Sequence, residues 1–385
     1  MYITAKKQAM YIHQQKDWPN FTWDNGVLVP YIGKVRDLQG RLLGRMESLG
    51  FELREEAVLV TLTEDVVKSS AIEGEFLNPD EVRSSIARRL GMEISGLPEA
   101  SRYVEGVVEM MLDATQSYKI PLSKDRLFGW HSALFPAGRS GIYKITVGNW
   151  RTDRQGPMQV VSGPMGREKI HYTAPEAGRL DSEMNRFLDW YNSDSETEPV
   201  LKSAIAHLWF VSIHPFDDGN GRIARAIADS LLARADRTSQ RFYSMSAQIL
   251  RSKNVYYAIL ESTQKGSLDI SQWLVWYIEC LMEAIEITEE TLSKVLLKAR
   301  FWEAHRNTQL NERQMKVINL MLGDFVGKLH SSKWAKLTKV HRDTALKDIQ
   351  DLIVKGILFE SDEGGRSTNY ILVAPSKKGN HRTNH

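Results

Sequence analysis

The sequence predicts a mainly α-helical protein with a helical N-terminal region, a helical core that contains a small β-hairpin flap, and a C-terminal winged helix-turn-helix. Three observations support this fold class. Apolar residues recur at intervals of three and four over most of the chain, which is the period of an amphipathic helix. Gly and Pro are concentrated between residues 137 and 164, where a helix cannot persist. The C-terminal part combines three helical patterns with a β-hairpin pattern.

Length and composition indicate a folded protein with more than one domain. The chain has 385 residues, of which 42% are hydrophobic and 25% charged, and single cores usually stop growing at about 250–300 residues. Lys and Arg number 50 against 48 Asp and Glu, so the chain has no overall field that attracts nucleic acid or an anionic membrane. We expect a helical domain at 1–98, the core at 99–300, a winged-helix domain at 310–375 and a flexible tail at 376–385.

The expected compartment is the cytoplasm. Residues 1–16 contain no apolar segment of signal-peptide length, and no later stretch approaches the ~18 uncharged apolar residues of a membrane helix. The single cysteine, Cys280, lies in an apolar stretch and is predicted to be a core residue. We therefore expect a cytoplasmic protein that contacts no membrane.

Hydrophobic periodicity places the elements in order. Residues 25–89 predict a long helical hairpin, preceded by an aromatic segment at 18–23 that is either a short strand or a surface clasp. Further helices are predicted at 102–116, 124–134, 200–213, 222–235, 252–264 and 270–299. Residues 158–161 are predicted to pair with 142–147. The winged domain is predicted to contain helices at 312–322, 333–337 and 343–355, and strands at 357–360 and 370–373 joined by a glycine turn at 364–365.

The segment 214–225 carries the predicted chemistry. Pro215 has no amide hydrogen and disfavours helix at the preceding residue, so a helix ends at His214 and presents its side chain. The run Gly219–Gly221 tolerates positive φ and can direct successive backbone N–H groups to one side. A helix starts directly afterwards, and its unpaired N–H groups and dipole favour a phosphate.

Charged side chains near this loop complete the pattern. Arg222 and Arg225 are one helical turn apart, so both guanidinium groups can hold one polyphosphate. Asp218 adds a hard oxygen ligand of the kind Mg²⁺ requires. Taken singly, such features are usually a packing histidine, a turn and a solvated helix face. Their convergence within twelve residues favours a nucleotide phosphate site.

Residues 214–225, His-Pro-Phe-Asp-Asp-Gly-Asn-Gly-Arg-Ile-Ala-Arg, resemble the full signature of Fic proteins. The resemblance covers about residues 99–280. It implies a protein adenylyltransferase that transfers AMP from ATP, with Mg²⁺, to a Tyr, Thr or Ser hydroxyl of an unidentified target protein or of itself. It also implies roles for the signature residues: His214 as catalytic base, Asp218 as metal ligand, and Gly219, Asn220, Gly221, Arg222 and Arg225 as ATP phosphate ligands.

A second motif, Ser69-Ser-Ala-Ile-Glu73-Gly74, resembles the inhibitory motif of many Fic proteins. A carboxylate paired with Arg225 would occupy the place of the γ-phosphate and misalign ATP. In the alternative interpretation, Glu73 simply ends a helix before Gly74. Some relatives use such a glutamate to orient water and remove AMP, so the resemblance also implies a removal activity.

Target docking and adenine binding are predicted on two further segments. Residues 151–163 resemble the family's target-docking flap, whose strand edges accept an extended peptide; alternatively they form an ordinary surface hairpin. The flap candidates are Arg151, Thr152, Met158, Val160 and Val161. Tyr256 and Tyr257 form either an adenine pocket or part of the core. His131 and His207 are predicted packing residues.

The predicted winged domain contains a local cluster of basic residues around its recognition helix: Lys333, Lys336, Lys339, His341, Arg342 and Lys347. This cluster favours DNA contact. Asp343, Asp348 and Asp351 interrupt it, and many winged modules bind proteins or form homodimers instead. The alternative function is therefore a DNA-binding transcriptional regulator that uses its Fic unit as a nucleotide sensor.

Overall fold

Two buried helices, Pro199–Ile213 and Asn220–Asp236, form the centre of the fold. The first begins with proline at its first turn, and the Glu198 side chain accepts hydrogen bonds from the next two backbone N–H groups. Every residue from Val200 to Ile213 is buried, which is typical of a helix surrounded by protein on all sides. The second helix packs along the first, so the loop that joins them lies at the edge of the core.

The computed structural model describes residues 10–92, 98–154, 156–164, 166–194, 196–322, 325, 327–361 and 368–373. The α-helices of these residues are α1 (Asn25–Glu47), α2 (Phe51–Ile72), α3 (Pro79–Arg89), α4 (Arg102–Gln116), α5 (Lys124–Leu134), α6 (Leu180–Asn192), α7 (Pro199–Ile213), α8 (Asn220–Asp236), α9 (Met245–Arg251), α10 (Lys253–Gln264), α11 (Ser271–Ala304), α12 (Glu312–Met321), α13 (Ser331–Thr338) and α14 (Arg342–Val354). The strands are β1 (Arg139–Ser140), β2 (Tyr143–Lys144), β3 (Gln159–Ser162), β4 (Lys169–Thr173), β5 (Leu358–Ser361) and β6 (Asn369–Leu372).

The predicted mainly helical fold class is confirmed. The helices α4 and α5 have the predicted bounds, and α7 and α8 agree to within two residues. The helix α8 begins at Asn220 because Gly219 adopts a φ of +83° and serves as its N-cap. The short helix α9 was not predicted; the Ser244 side chain caps its N-terminus.

The N-terminal region differs from the predicted hairpin. Residues 25–89 form three helices, and the extensive contacts of α2 are with α3 and α9 instead of α1. The aromatic segment is a clasp, not a strand: Trp18 is 5% exposed and its ring packs edge-on against Trp209. Trp18 Nε1 also donates a hydrogen bond of 2.9 Å to Glu183. These contacts fix the segment around Trp18 to α6 and α7.

The hairpin in the core has a different partner strand from the one predicted. Strand β3 pairs antiparallel with β4, with Val160 opposite Tyr172, whereas β2 pairs with β1. The predicted pairing of 158–161 with 142–147 is therefore wrong. Burial explains why β3 pairs with β4, because Tyr172 of β4 is 1% exposed and its hydroxyl donates to Ser212 O at 2.7 Å. Strand β4 is thus anchored to α7, while Ile142 is 79% exposed.

The chain divides into two compact units, Met1–Thr288 and Glu289–His385, each defined by the contacts within it. In the second unit, α12, α13, α14 and the β5–β6 hairpin enclose a core that includes Trp334, Ile349 and Leu352. A winged helix-turn-helix and the domain boundaries given above stay predictions. The expected glycine turn at 364–365 and the tail at 376–385 lie outside the described residues.

The helix α11 contains Cys280, which is 4% exposed and therefore a core residue, as predicted. Burial raises the pKa of its thiol. Among the described residues, no helix combines the length and apolar character needed to cross a bilayer.

Candidate active site

The loop between α7 and α8 holds His214 in an unusual backbone conformation. His214 has a φ of +52°, in the left-handed region, and ends α7. The Asn220 side chain closes the loop by accepting a 3.0 Å hydrogen bond from Phe216 N and donating a 2.8 Å bond to Phe216 O. Asn220 therefore contributes its backbone N–H to the start of α8, while its side chain is used within the loop.

The imidazole of His214 has one nitrogen fixed by the backbone. Nδ1 lies 3.2 Å from Val211 O, and because a carbonyl only accepts, Nδ1 carries the proton and Nε2 keeps its lone pair in the neutral ring. Burial lowers the pKa of His214 to about 4, against an opposing contribution from the Val211 hydrogen bond. The ring is therefore neutral at pH 7 and able to accept a proton at Nε2.

Two buried side chains support this loop from behind. Arg151 Nε donates to His214 O at 2.7 Å, and its Nη2 donates to Pro175 O at 2.6 Å. His131 accepts a 3.2 Å hydrogen bond from Gly148 N and lies 3.2 Å from Asp218 O, to which its other nitrogen donates. His131 is thus a packing residue, as predicted, and it also forms hydrogen bonds to the backbone of two loops. Arg151 is 2% exposed and precedes the hairpin, so its side chain is not part of an exposed flap strand.

Arg225 is bound by the segment that was predicted to be inhibitory. Its Nη2 donates to Glu73 Oε1 at 2.7 Å and to Ser69 O at 2.9 Å, and its Nε donates to Ser69 Oγ at 2.9 Å. Burial alone would lower the pKa of Arg225, but the Glu73 carboxylate together with Tyr256 and Tyr257 raises it above its usual value. The remaining nitrogen, Nη1, is buried and has no hydrogen-bond partner among the described residues. Arg225 therefore retains a donor for a further acceptor.

The Glu73 carboxylate lies at the N-terminus of α8. A Cβ added to Gly221, the second residue of that helix, would overlap Glu73 Oε1. Backbone N–H groups in the first turn of a helix have no partner within the helix and attract anions. Glu73 thus places negative charge where the sequence predicts a phosphate.

A second carboxylate, Glu75, was not identified from the sequence. Arg222 Nη1 donates to Glu75 Oε2 at 2.8 Å and to the Tyr103 hydroxyl at 2.6 Å. Burial raises the pKa of Glu75, and the nearby Arg222 opposes that rise. The sequence offers one signal for this second pair, which is the spacing of the charged residues. Glu73 and Glu75 are two residues apart at a helix end, and the two arginines are one helical turn apart. Each arginine of the predicted clamp is therefore paired with its own carboxylate.

Asp218, the predicted metal ligand, is held in place by neighbouring donors. Its side chain accepts hydrogen bonds from Ser140 Oγ and, at 2.5 Å, from Gly219 N. Among the described residues, no group of three or more His, Cys, Asp or Glu side chains is arranged to hold a metal ion. A single carboxylate fits Mg²⁺, which usually takes one or two protein ligands together with substrate phosphates and water.

The loop and its supporting residues coincide with a recognised domain. A model described as the Fic/DOC family matches residues 121–232, and one described as a domain of unknown function (DUF4172) matches residues 11–92. Curated relatives named Protein adenylyltransferase Fic are 26% identical over 233 residues in Drosophila willistoni and 25% identical over 275 residues in Nematostella vectensis. Residues 121–232 therefore match a Fic/DOC family domain.

These relatives are longer than the matched region. The alignments cover 58% of this chain and 40% of the Drosophila protein, and 66% of this chain and 57% of the Nematostella protein. Among solved structures, a Fic family protein from Desulfovibrio desulfuricans G20 aligns over 91% of this chain and 98% of its own, with 20% identity and a TM-score of 0.49. A Fic domain containing signaling protein from Bacteroides thetaiotaomicron aligns over 67% and 95%, with 21% identity and a TM-score of 0.49.

A cavity of about 610 Å³ opens beside the Arg222 side of the Fic site. Glu75, Tyr103, Phe135 and Ser140 are among its lining residues. Three of these side chains also contact the signature: Glu75 and Tyr103 bind Arg222, and Ser140 binds Asp218. The cavity therefore adjoins the residues predicted to hold phosphate and metal.

The two tyrosines predicted for an adenine pocket differ in exposure. Tyr256 is 2% exposed and its hydroxyl lies 3.0 Å from Nε2 of His207, which makes both residues part of the core of the first unit. Tyr257 is 40% exposed, and its hydroxyl donates to Ile72 O, one residue before Glu73, at 3.4 Å. Only the Tyr257 ring is therefore available at the surface beside the Glu73 segment.

The remaining flap candidates lie on or before the β3–β4 hairpin of the Fic domain. Met158 accepts a 2.9 Å backbone hydrogen bond from Ala174, and Val161, which is 48% exposed, follows an irregularity in the pairing after Val160. Thr152 is exposed and precedes the hairpin. A target-docking role for these residues stays a prediction.

Proposed function

We propose that this Fic protein transfers AMP from ATP to a hydroxyl group of a protein, and that Glu73 restrains the reaction. The observation that carries the proposal is the convergence of an unprotonated His214 Nε2, the N-terminus of α8 and two arginines on one loop. The names of the curated relatives support the same activity. The acceptor is a Tyr, Thr or Ser hydroxyl of an unidentified target or of the protein itself.

In the proposed reaction, His214 Nε2 accepts the proton of the acceptor hydroxyl as its oxygen attacks the α-phosphorus of ATP. The bond between the α-phosphorus and the bridging oxygen breaks, and pyrophosphate leaves with the electron pair. The product is an AMP phosphodiester on the target. The Val211 carbonyl fixes the ring orientation and the proton on Nδ1, so that the free lone pair lies on Nε2.

Positioning and electrostatics supply most of the rate enhancement in phosphoryl and nucleotidyl transfer. We assign the first N–H groups of α8, from Gly219 to Gly221, to the phosphate oxygens on which negative charge grows. Arg222 and Arg225 hold the outer phosphates. Asp218 would hold Mg²⁺, which neutralises phosphate charge when bound.

The restraint follows from competition for Arg225. The Glu73 carboxylate engages Arg225 and lies against Gly221, so the γ-phosphate of ATP cannot take the same position. ATP then binds with its α-phosphorus out of line with the acceptor oxygen, which costs rate steeply. Glu75 engages Arg222 in the same way and adds to the restraint.

The test compares the Glu73→Gly variant with the natural protein, using α-labelled ATP and Mg²⁺. We expect label on the protein to increase by at least tenfold, and the double variant with His214→Ala to incorporate none. Glu64→Ala is the matched control, because Glu64 lies exposed on the same helix. An unchanged or lower rate of label transfer by Glu73→Gly would contradict the proposed inhibitory role of Glu73.

Two other outcomes of the same experiment assign different functions. Binding of ATP without any label transfer by Glu73→Gly would favour the nucleotide sensor of a DNA-binding regulator. Loss of AMP from a modified target that requires Glu73 would assign it a removal activity, in which the carboxylate orients water.

A further inference from the structure

The second unit concentrates positive charge on one surface, although the whole chain carries 50 basic and 48 acidic residues. The α14 surface consists of six exposed side chains on α13, on α14 and on the turn between them: Lys336, Lys339, Arg342, Leu346, Lys347 and Gln350. We propose that the α14 surface binds double-stranded DNA. This inference does not depend on the proposed transferase activity.

Two of the three acidic residues that interrupt the basic cluster in sequence, Asp348 and Asp351, form hydrogen bonds to α12 and its N-cap. Asp348 is 5% exposed and accepts hydrogen bonds from Arg313 Nε at 2.7 Å and from Asn311 at 2.9 Å. Asp351 accepts a 2.7 Å bond from Gln314 and a 2.5 Å bond from Lys355. These two carboxylates join α14 to α12, so they do not cancel the charge of the α14 surface.

The basic side chains of the α14 surface are available to phosphate groups. Within the described residues, Lys336, Lys339 and Lys347 form no ion pair, and all three are exposed. Arg342 Nε donates only a long, 3.4 Å bond to Ser331 Oγ. Asp343 is an exposed acidic neighbour of this surface, and it lies 3.3 Å from the His341 ring. Several unpaired cations on one face attract a polyanion by releasing its condensed counterions.

The backbone presents α14 as the second helix of a helix-turn-helix. α13 ends at Thr338, Lys339 follows in the left-handed conformation at φ +56°, and α14 begins at Arg342. The inward face of α14 is fully buried at Ala345, Ile349 and Leu352, so the opposite face is free along the helix. Its thirteen residues span about 20 Å, and the major groove of B-DNA, about 12 Å wide, admits an α-helix.

The residue types on the free face match the edges of DNA bases. Arginine and glutamine form paired hydrogen bonds with guanine and adenine, and apolar side chains contact the thymine methyl group. The exposed face of α14 carries one arginine, one apolar side chain and one glutamine, which are Arg342, Leu346 and Gln350. Double-stranded RNA fits less well, because its major groove is too deep and narrow for a helix.

The test uses the full chain and a fluorescein-labelled DNA duplex of about 30 base pairs, titrated at salt concentrations from about 50 to 200 mM. We expect the duplex to bind, and we expect the logarithm of the association constant to fall linearly with the logarithm of the salt concentration. The Lys336→Gln/Lys347→Gln variant should reduce that slope by about 2, at roughly 0.9 per phosphate contact. Lys298→Gln/Arg300→Gln is the matched control, because both residues are exposed on α11 in the same unit.

Three results would overturn the proposal: no binding at the lowest salt concentration, an equal loss of slope in the control variant, or binding of a matched RNA duplex at least as tight as that of DNA. Circular dichroism of each variant separates lost contacts from unfolding. A second variant, Arg342→Ala/Gln350→Ala, tests base reading. It should change the sequences selected from a random duplex library and reduce the salt slope by no more than about 1, because Arg342 is the one cation removed.

Discussion

The Glu73 carboxylate lies so close to Gly221 that a Cβ on Gly221 would overlap Oε1 and stand 3.1 Å from Cδ. Gly221 is part of α8 and does not have a positive φ, so alanine suits its backbone and would add only volume. The space above Gly221 is therefore reserved for a group that contacts the backbone closely. A carboxylate fills that space here, and we propose that a phosphate fills it in the active protein.

Gly221→Ala should weaken ATP binding even when Glu73 has been removed. In the Glu73→Gly background we expect a loss of about tenfold in ATP affinity, because the added methyl group displaces the phosphate from the helix N-terminus. Calorimetric titration with ATP measures this loss of affinity. Gly33→Ala is the control, since an added Cβ there meets nothing within 4 Å. Unaltered affinity would mean that phosphates do not approach Gly221.

Glu75→Gln should strengthen ATP binding by releasing Arg222. The side chain of Glu75 is 37% exposed and that of Arg222 is 1% exposed, so solvent screens the pair only in part. We expect roughly a two- to fivefold gain in ATP affinity in the Glu73→Gly background, in line with about 0.5–1 kcal/mol for a partly exposed ion pair. Glu81→Gln, which alters another carboxylate at the same cavity, should change affinity little. Equal effects of the two changes would contradict a specific role for Glu75.

The pH dependence of transfer should report the lowered pKa of His214. Because burial lowers the pKa of His214 to about 4, the ring keeps its accepting lone pair at all higher pH values. The turnover rate of Glu73→Gly should therefore be flat from pH 8 to about pH 5 and fall below that, whereas an ordinary histidine would give a fall near pH 6.5. ATP affinity and circular dichroism at each pH exclude lost binding and unfolding. A fall in rate centred near pH 6.5 would show that the pKa of His214 is not lowered in the reacting complex.

Arg151→Lys should impair the position of His214 more than the binding of substrates. The guanidinium donates to His214 O, Pro175 O and Asp153, and a lysine ammonium cannot span these three acceptors. We expect a loss of about 2 kcal/mol in unfolding free energy and a tenfold lower kcat with little change in the KM for ATP. The control is Arg154→Lys, at an exposed position nearby. A raised KM for the target with unchanged kcat would return Arg151 to the predicted docking role.

Much of the fold was predictable because its helices have strong local signals. The capped and amphipathic helices α4 and α5 were placed to the residue, and Pro215 correctly indicated the end of α7 at His214. The motif 214–225 was likewise visible, because its residues are contiguous in sequence. Local chemistry determined these features.

The features that were missed depend on contacts between distant segments. The partner of β3 is set by the buried Tyr172 hydroxyl on Ser212, 40 residues away in sequence. Glu75 and Arg222 are separated by 147 residues, and nothing local distinguishes Glu75 from a solvated glutamate. Arg151 belongs to the loop of His214 through hydrogen bonds to carbonyl groups, which leave no pattern of side chains in the sequence.

Arg225 and the Glu73 segment belong to the same unit of one chain. The encounter between carboxylate and guanidinium is therefore intramolecular, and dilution of the protein cannot separate them. If Glu73 restrains the reaction as proposed, a nucleotide competes with a carboxylate whose effective concentration is constant, whatever the concentration of the protein. Release then requires a change in the chain itself, either by substitution or by a binding event that moves the end of α2.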